Sequence, residues 1–227
     1  MERHFDEELK RLKTDLLKMA ALTEGSIFKS IEALKSRDKG MAQAVIEEDK
    51  KIDEMELLID ERAIDLLALR QPMASDLRFI TTAMKINTEL ERIADLSENI
   101  AQRVLYLADL PLLKPLIDIP RLSEIAREMV KKAIDAFVNG DEELARQVIL
   151  KDSEADTLRD AVYDELINGY IVKDGTTASR AVPLILVARH LERICDHATY
   201  IAADVIYIIK AKVVKHHSER LNPRNDL

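Results

Sequence analysis

The chain has 227 residues and a mass of 25.8 kDa, which allows one large domain or two small ones. Its 34 Lys and Arg against 42 Asp and Glu leave a net charge of −8, and with 4% aromatics and no Trp it lacks the basic, stacking-rich surface that nucleic-acid binding needs. At 47% hydrophobic and 33% charged it is globular rather than disordered.

Five Gly and six Pro fall well under half of the roughly 12% usual for the two together, so long helices with short connections are expected and a β-sandwich or doubly wound fold is excluded. The first amphipathic stretch runs through Gly25, and Asp38 opens a second that extends to Arg70 and is ended by Pro72. A third starts at the N-cap-like Ser75 or Asp76 and continues without Gly or Pro to Leu110. Pro111, Pro115 and Pro120 mark residues 111–120 as a linker. A shorter helix follows to about Val138, and Asn139-Gly140-Asp141 supplies a stop, a turn and a fresh N-cap. The fifth helix ends near Gly169, Lys173-Asp174-Gly175 turns the chain, and a sixth runs from about Ser179 to the His216-His217 region, with a polar tail over 218–227. The expected fold is all-α: two tandem three-helix units, over 1–110 and 121–217.

The halves repeat. An offset of 103 carries Asp38, Ala42, Val45, Ile46, Asp49 and Asp53 onto Asp141, Ala145, Val148, Ile149, Asp152 and Asp156. An offset of 101 carries Glu91-Arg92-Ile93-x-Asp95 onto Glu192-Arg193-Ile194-x-Asp196. Ile86, Leu90, Ile93, Ser97, Ile100, Val104 and Leu107 form a heptad seam, as do Val187, Leu191, Ile194, Ala198, Ile201, Val205 and Ile208. At about 100° per residue, Glu91 and Asp95 sit roughly 140° and 180° from that seam, as do Glu192 and Asp196, so they face away from the core.

Asp49/Asp53 and Asp152/Asp156 are further i, i+4 acidic pairs, at the edge of the apolar stripe of the second helix of each unit. Antiparallel neighbours would bring two pairs together on the outer surface of each unit. Like charges at this spacing cost a helix a few tenths of a kcal/mol per pair. A solvated face with Arg92 and Arg193 as counter-charges accounts for the spacing alone. Duplication of every pair gives equal weight to polyvalent cations, since carboxylates suit Mg, Mn and oxidised Fe.

Other chemistry is sparse. Cys195, the single cysteine, cannot form an intrachain disulfide and excludes Cys-rich zinc sites; beside the seam it reads as a partly buried thiol. No Glu-x-x-His occurs, which removes the ligand signature of di-iron bundles; His197, next to Asp196, is a candidate auxiliary ligand but reads first as a surface residue, and His216-His217 as a helix-end pair. With no phosphate-binding Gly loop or nucleophile triad, no enzyme is expected. A charged N-terminus, MERHFDEELKRL, and a longest apolar run of only Ala181 to Ala188 point to a soluble, cytoplasmic protein.

Gln71-Pro72-x-Ala74-Ser75-Asp76-Leu77-Arg78, followed by Glu91-Arg92-Ile93-x-Asp95 and Asn99-Ile100-Ala101, closely resembles the PhoU family of phosphate transport system accessory proteins. Leu191-Glu192-Arg193-Ile194-x-Asp196-His197-Ala198 resembles that family's second repeat, and the likeness spans about residues 5–215. The resemblance implies two three-helix bundles related by a pseudo-twofold axis, and a negative regulator of the phosphate-starvation response that also modulates phosphate uptake. Such a protein links the phosphate ABC transporter to a membrane sensor histidine kinase, held off when phosphate is plentiful, and associates with the membrane only through these partners. It also implies a homodimer and surface metal clusters, iron first with Zn, Mn or Mg as alternatives. These map onto Asp49, Asp53, Glu91 and Asp95, and onto Asp152, Asp156, Glu192 and Asp196. Ala94 and Cys195 stand where many relatives have Gly, and a thiol beside the second cluster bears on its metal preference. The alternatives are a carboxylate-based metal-storage or buffering protein without a signalling partner, and a plain helical adaptor that binds no metal. Among surfaces, the acidic face is the one whose charge can steer a partner.

Overall fold

The computed structural model describes residues 2–210, with side chains from residue 4 onward. Helices α1 (Glu2–Ser36), α2 (Lys39–Arg70), α3 (Ala74–Leu107), α4 (Asp118–Asn139), α5 (Glu142–Asp164) and α6 (Ala178–Lys210) account for nearly all of it, and no strand occurs among the described residues. The His216-His217 pair and the polar tail lie outside the described residues.

The caps repeat with the sequence. Asp38, in extended conformation, accepts a hydrogen bond from the Met41 backbone N–H at 3.0 Å, and Asp141 does the same for Leu144 at 3.0 Å. Each satisfies an N–H that the first turn leaves without a partner, worth about 1 kcal/mol. Gly140 ends α4 at φ 64°, where a side chain would be strained.

Three boundaries differ from expectation. Helix α3 stops at Leu107, three residues early. There Arg37, itself at φ 60°, donates from Nη2 to the carbonyls of Leu107 at 3.2 Å, Ala108 at 2.9 Å, and Leu110, satisfying acceptors that a longer helix would have used internally. Pro120 belongs to the first turn of α4 rather than to the connection, a place where its missing N–H costs nothing. Past Asp164 the chain stays helical but wider, as a π-turn over Glu165–Ile171, before a 3₁₀ turn over Gly175–Thr177 leads into α6.

Helices α1–α3 pack as one unit and α4–α6 as the other. The units join mainly along α3 and α6, whose seam residues from Ile86 to Val104 and from Val187 to Val205 are buried, and α1 also touches α4. Burying each Leu, Ile or Val contributes about 1.5–3 kcal/mol, so these two rows form the spine of the molecule. Stacking of Phe79 on Phe137, with ring centroids 5.3 Å apart, adds a tie between α3 and α4. None of the described helices is long and apolar enough to cross a membrane.

Candidate functional site

On α2 the buried positions Val45, Asp49, Ile52, Ile59, Ala63 and Leu66 follow alternating spacings of four and three, with Glu56 completing the row. Asp49 therefore occupies a place in the stripe that packing assigns to an apolar residue, and it is only 8% exposed. It points at the α3 face carrying Glu91, Asp95 and Glu98. Carboxylate oxygens of Asp49, Asp95 and Glu98 lie within 4.8 Å of one another. Exposed Asp53, one turn along α2, adds its charge against Asp49, Glu91 and Asp95, and Glu56 faces Glu91.

Concentrating these groups between two helices disfavours their ionised forms. Burial, reinforced by Asp53, Glu98 and Asp95, pushes the Asp49 carboxyl up to about 7. Burial, with Asp95, Glu56 and Asp53 behind it, takes Glu91 up to about 7. Asp95 is raised by burial and by Asp53, against a hydrogen bond from Glu91 that pulls it down. Among the described residues, no Lys or Arg forms an ion pair within 4.0 Å of Asp49, Asp53, Glu56, Glu91, Asp95 or Glu98.

In the second unit α5 and α6 bring Asp152 and Asp156 against Glu192 and Asp196. Burial, then Asp196, Asp156 and Glu192, push Asp152 up to about 6, while nearby Arg159 opposes the shift. Glu192 and Asp196 are likewise raised, first by burial. Arg159 inserts its guanidinium here: Nη1 donates to Asp156 at 2.9 Å and to Glu192, and Nη2 pairs with Asp160 at 2.9 Å.

The chain thus brings together Asp49/Asp53 with Glu91/Asp95, and Asp152/Asp156 with Glu192/Asp196. Their placement departs from an outward face, however. Asp53 and Asp95 are exposed, Asp49 is buried, and the remaining five are half-buried, so each cluster fills a groove between two helices. Glu56, Glu98 and Arg159 join the clusters beyond the residues that the i, i+4 spacing predicts. The signal was available: Glu56 follows Asp49 by seven, Glu98 follows Glu91 by seven, and Arg159 follows Asp152 by seven, each two turns further along the same face.

Two neighbouring residues also differ from expectation. His197 is 5% exposed, and its Nδ1 lies 2.6 Å from the Glu89 carboxylate across the joint between units. Cys195 is fully buried, and burial together with Asp152, Asp196 and Glu192 holds its thiol well above the usual range. With its thiolate disfavoured and its side chain fully buried, it presents no exposed sulfur to the groove. The remaining donors are carboxylate oxygens, a set that fits hard polyvalent cations such as Mn²⁺, Mg²⁺ or Fe³⁺ better than Zn²⁺.

Paired three-helix units, each with an acidic groove between two of its helices, define a helical tandem-repeat protein. The family model described as the PhoU domain matches twice, at residues 16–104 and 119–205, so the chain belongs to the PhoU family. It is 42% identical over 209 residues to a phosphate-specific transport system accessory protein PhoU homolog of Aquifex aeolicus, covering 92% of this chain and 94% of that one. The fold is similar to the crystal structure of PhoU from Pseudomonas aeruginosa, with TM-score 0.88, 36% identity, and coverage of 92% and 100%. It is also similar to the phosphate transport system regulatory protein PhoU from Streptococcus pneumoniae, with TM-score 0.86, 28% identity, and coverage of 92% and 99%.

Proposed function

We propose that this protein works in phosphate transport as a metal-binding adaptor and a negative regulator of the phosphate-starvation response. It would stand between the phosphate ABC transporter and a sensor histidine kinase on the cytoplasmic side, keeping the kinase silent while phosphate is plentiful. Relatives sharing up to 42% identity over most of their length are named as accessory proteins of phosphate-specific transport, which supports the transport half of this reading. The observation that carries the metal half is the recurrence of a carboxylate groove at the same place in both units, despite the electrostatic cost of holding Asp49, Glu91 and Asp152 where their ionisation is disfavoured.

Asp49, Asp53, Glu91 and Asp95 would hold cations in the first groove, and Asp152, Asp156, Glu192 and Asp196 in the second, with iron, Mn or Mg as the candidates. A bound cation would supply positive charge that the first groove lacks and that Arg159 only partly provides in the second, relieving repulsion between α2 and α3 and between α5 and α6. The protein's own part is scaffolding. Long helices joined along α3 and α6 hold two charged faces at a fixed separation, and charge of one sign over a face steers association with a complementary partner. A switch of partners requires that the transporter's state change the relative affinities.

Affinity capture from detergent-solubilised membranes of the native host tests the adaptor. The tagged full chain is expected to retain the phosphate transporter and the kinase, and charge reversal at Glu91 and Glu192 to weaken that retention. Retention of neither, by a chain that purifies with stoichiometric metal, would transfer the case to metal storage or buffering. The homodimer is checked separately by light scattering.

A further inference from the structure

The two grooves are built on one plan but furnished differently. The 103-residue offset that superposes Asp49 on Asp152 and Asp53 on Asp156 places Glu56 on Arg159, and the 101-residue offset that superposes Glu91 on Glu192 places Glu98 on Thr199. The first groove thus gains two carboxylates beyond the shared set. The second gains a guanidinium and a hydroxyl, and that hydroxyl is turned to the Asp196 carbonyl at 2.7 Å.

Arg159 is firmly seated. Its side chain is 21% exposed, its Nη1 serves Asp156 and Glu192 from opposite helices, its Nη2 and Nε hold Asp160, and its guanidinium lies 6.0 Å from the Tyr163 ring centroid. A guanidinium is permanently charged and matches carboxylates geometrically. In the second groove a cation is already present, tethered to α5.

Building on the cation-binding reading above, we propose that the two grooves are unequal cation sites: the first is the open, high-affinity one, and Arg159 is the tethered counter-ion that keeps the second closed to polyvalent cations until it is displaced. The inequality follows from competition and charge. An incoming ion in the second groove must break the Arg159 pairs with Asp156 and Glu192 before those oxygens become available. It then meets fewer carboxylates and a nearby positive charge, whereas in the first groove Asp49, Asp95 and Glu98 already converge with no ion-paired base, Arg92 acting on Asp95 only from a distance. A difference of at least about tenfold in affinity is expected.

The test titrates the full chain, freed of metal, with Mn²⁺, following free ion by electron paramagnetic resonance and heat by calorimetry, with circular dichroism confirming the fold of each variant. The wild type is expected to show one tight class of sites. That class is expected to disappear in Asp53→Asn/Asp95→Asn and to persist in Asp156→Asn/Asp196→Asn. Arg159→Glu, which installs the first groove's residue, should create a second tight class with affinity raised at least about tenfold, and Arg159→Gln should give a smaller gain in the same direction. Equal loading of both grooves in the wild type, or an unchanged titration in both Arg159 variants, would overturn the inequality while leaving cation binding intact. Absence of Mn²⁺ uptake by the wild type and by Arg159→Glu alike would overturn the cation reading itself, and this proposal with it.

Discussion

The two units agree where helix packs on helix and diverge where helix meets water. Leu90 and Leu191 occupy the same place in their seams, both fully buried, and Asp38 and Asp141 cap their helices with the same geometry. In the grooves, the same backbone positions carry Glu56 in one unit and Arg159 in the other. Close packing penalises any change of volume in a seam, whereas a half-exposed position tolerates even reversal of charge. Both units raise the proton affinity of their groove carboxylates, but the second also supplies an ion-paired internal arginine, and its Asp152 is pushed only to about 6 where Asp49 and Glu91 reach about 7.

The sharpest check on the agreement is the seam. Leu90→Ala and Leu191→Ala should each cost about 2–5 kcal/mol in urea unfolding, because both leave cavities in dry packing. Widely different costs would show that the units are not equivalent supports.

Next comes pH. In the unfolded chain Asp49, Glu91 and Asp152 titrate near the ordinary value of about 4, whereas the folded chain holds them near 7, 7 and 6. Between those values the folded state binds more protons, so stability is fullest at the acid end of that window and falls as pH rises through 6 to 7. Without polyvalent cations, the melting temperature is therefore expected to drop from pH 5.5 to pH 8. Asp49→Asn should flatten that slope more than Asp152→Asn, since Arg159 already offsets part of the second groove's charge. A slope of the opposite sign would break the electrostatic account.

The capping pair predicts matched and smaller effects. Asp38→Ala and Asp141→Ala should each cost about 1 kcal/mol. Smallest, and opposite in sign, are the groove residues: Arg159→Ala should destabilise the metal-free chain by about 0.5 kcal/mol, and Glu56→Ala should stabilise it by a similar amount. Calorimetric melts of both variants decide the matter, and shifts in the same direction would erase the distinction between grooves.

The six helices were legible because breakers and apolar spacing act locally: Pro72, Asn139-Gly140 and the two seams speak for themselves. So was the duplication, since an offset survives any error in helix boundaries. The burial of Asp49 was within reach, because the four-three spacing of α2 continues through it from Val45 to Ile52. The burial of His197 was not, because it depends on Glu89, 108 residues earlier on a helix of the other unit. The early end of α3 was equally hidden, since Arg37 comes from the far side of α2 in sequence to satisfy its last carbonyls. Local pattern predicted elements, and long-range partners decided which polar residues those elements enclose.

The proposed restraint of the phosphate response is open to direct test through alkaline phosphatase activity in phosphate-replete cells of the native host. Deletion of the gene is expected to raise that activity, and the full chain supplied in trans to lower it again. Activity that stays low in the deletion would contradict the account.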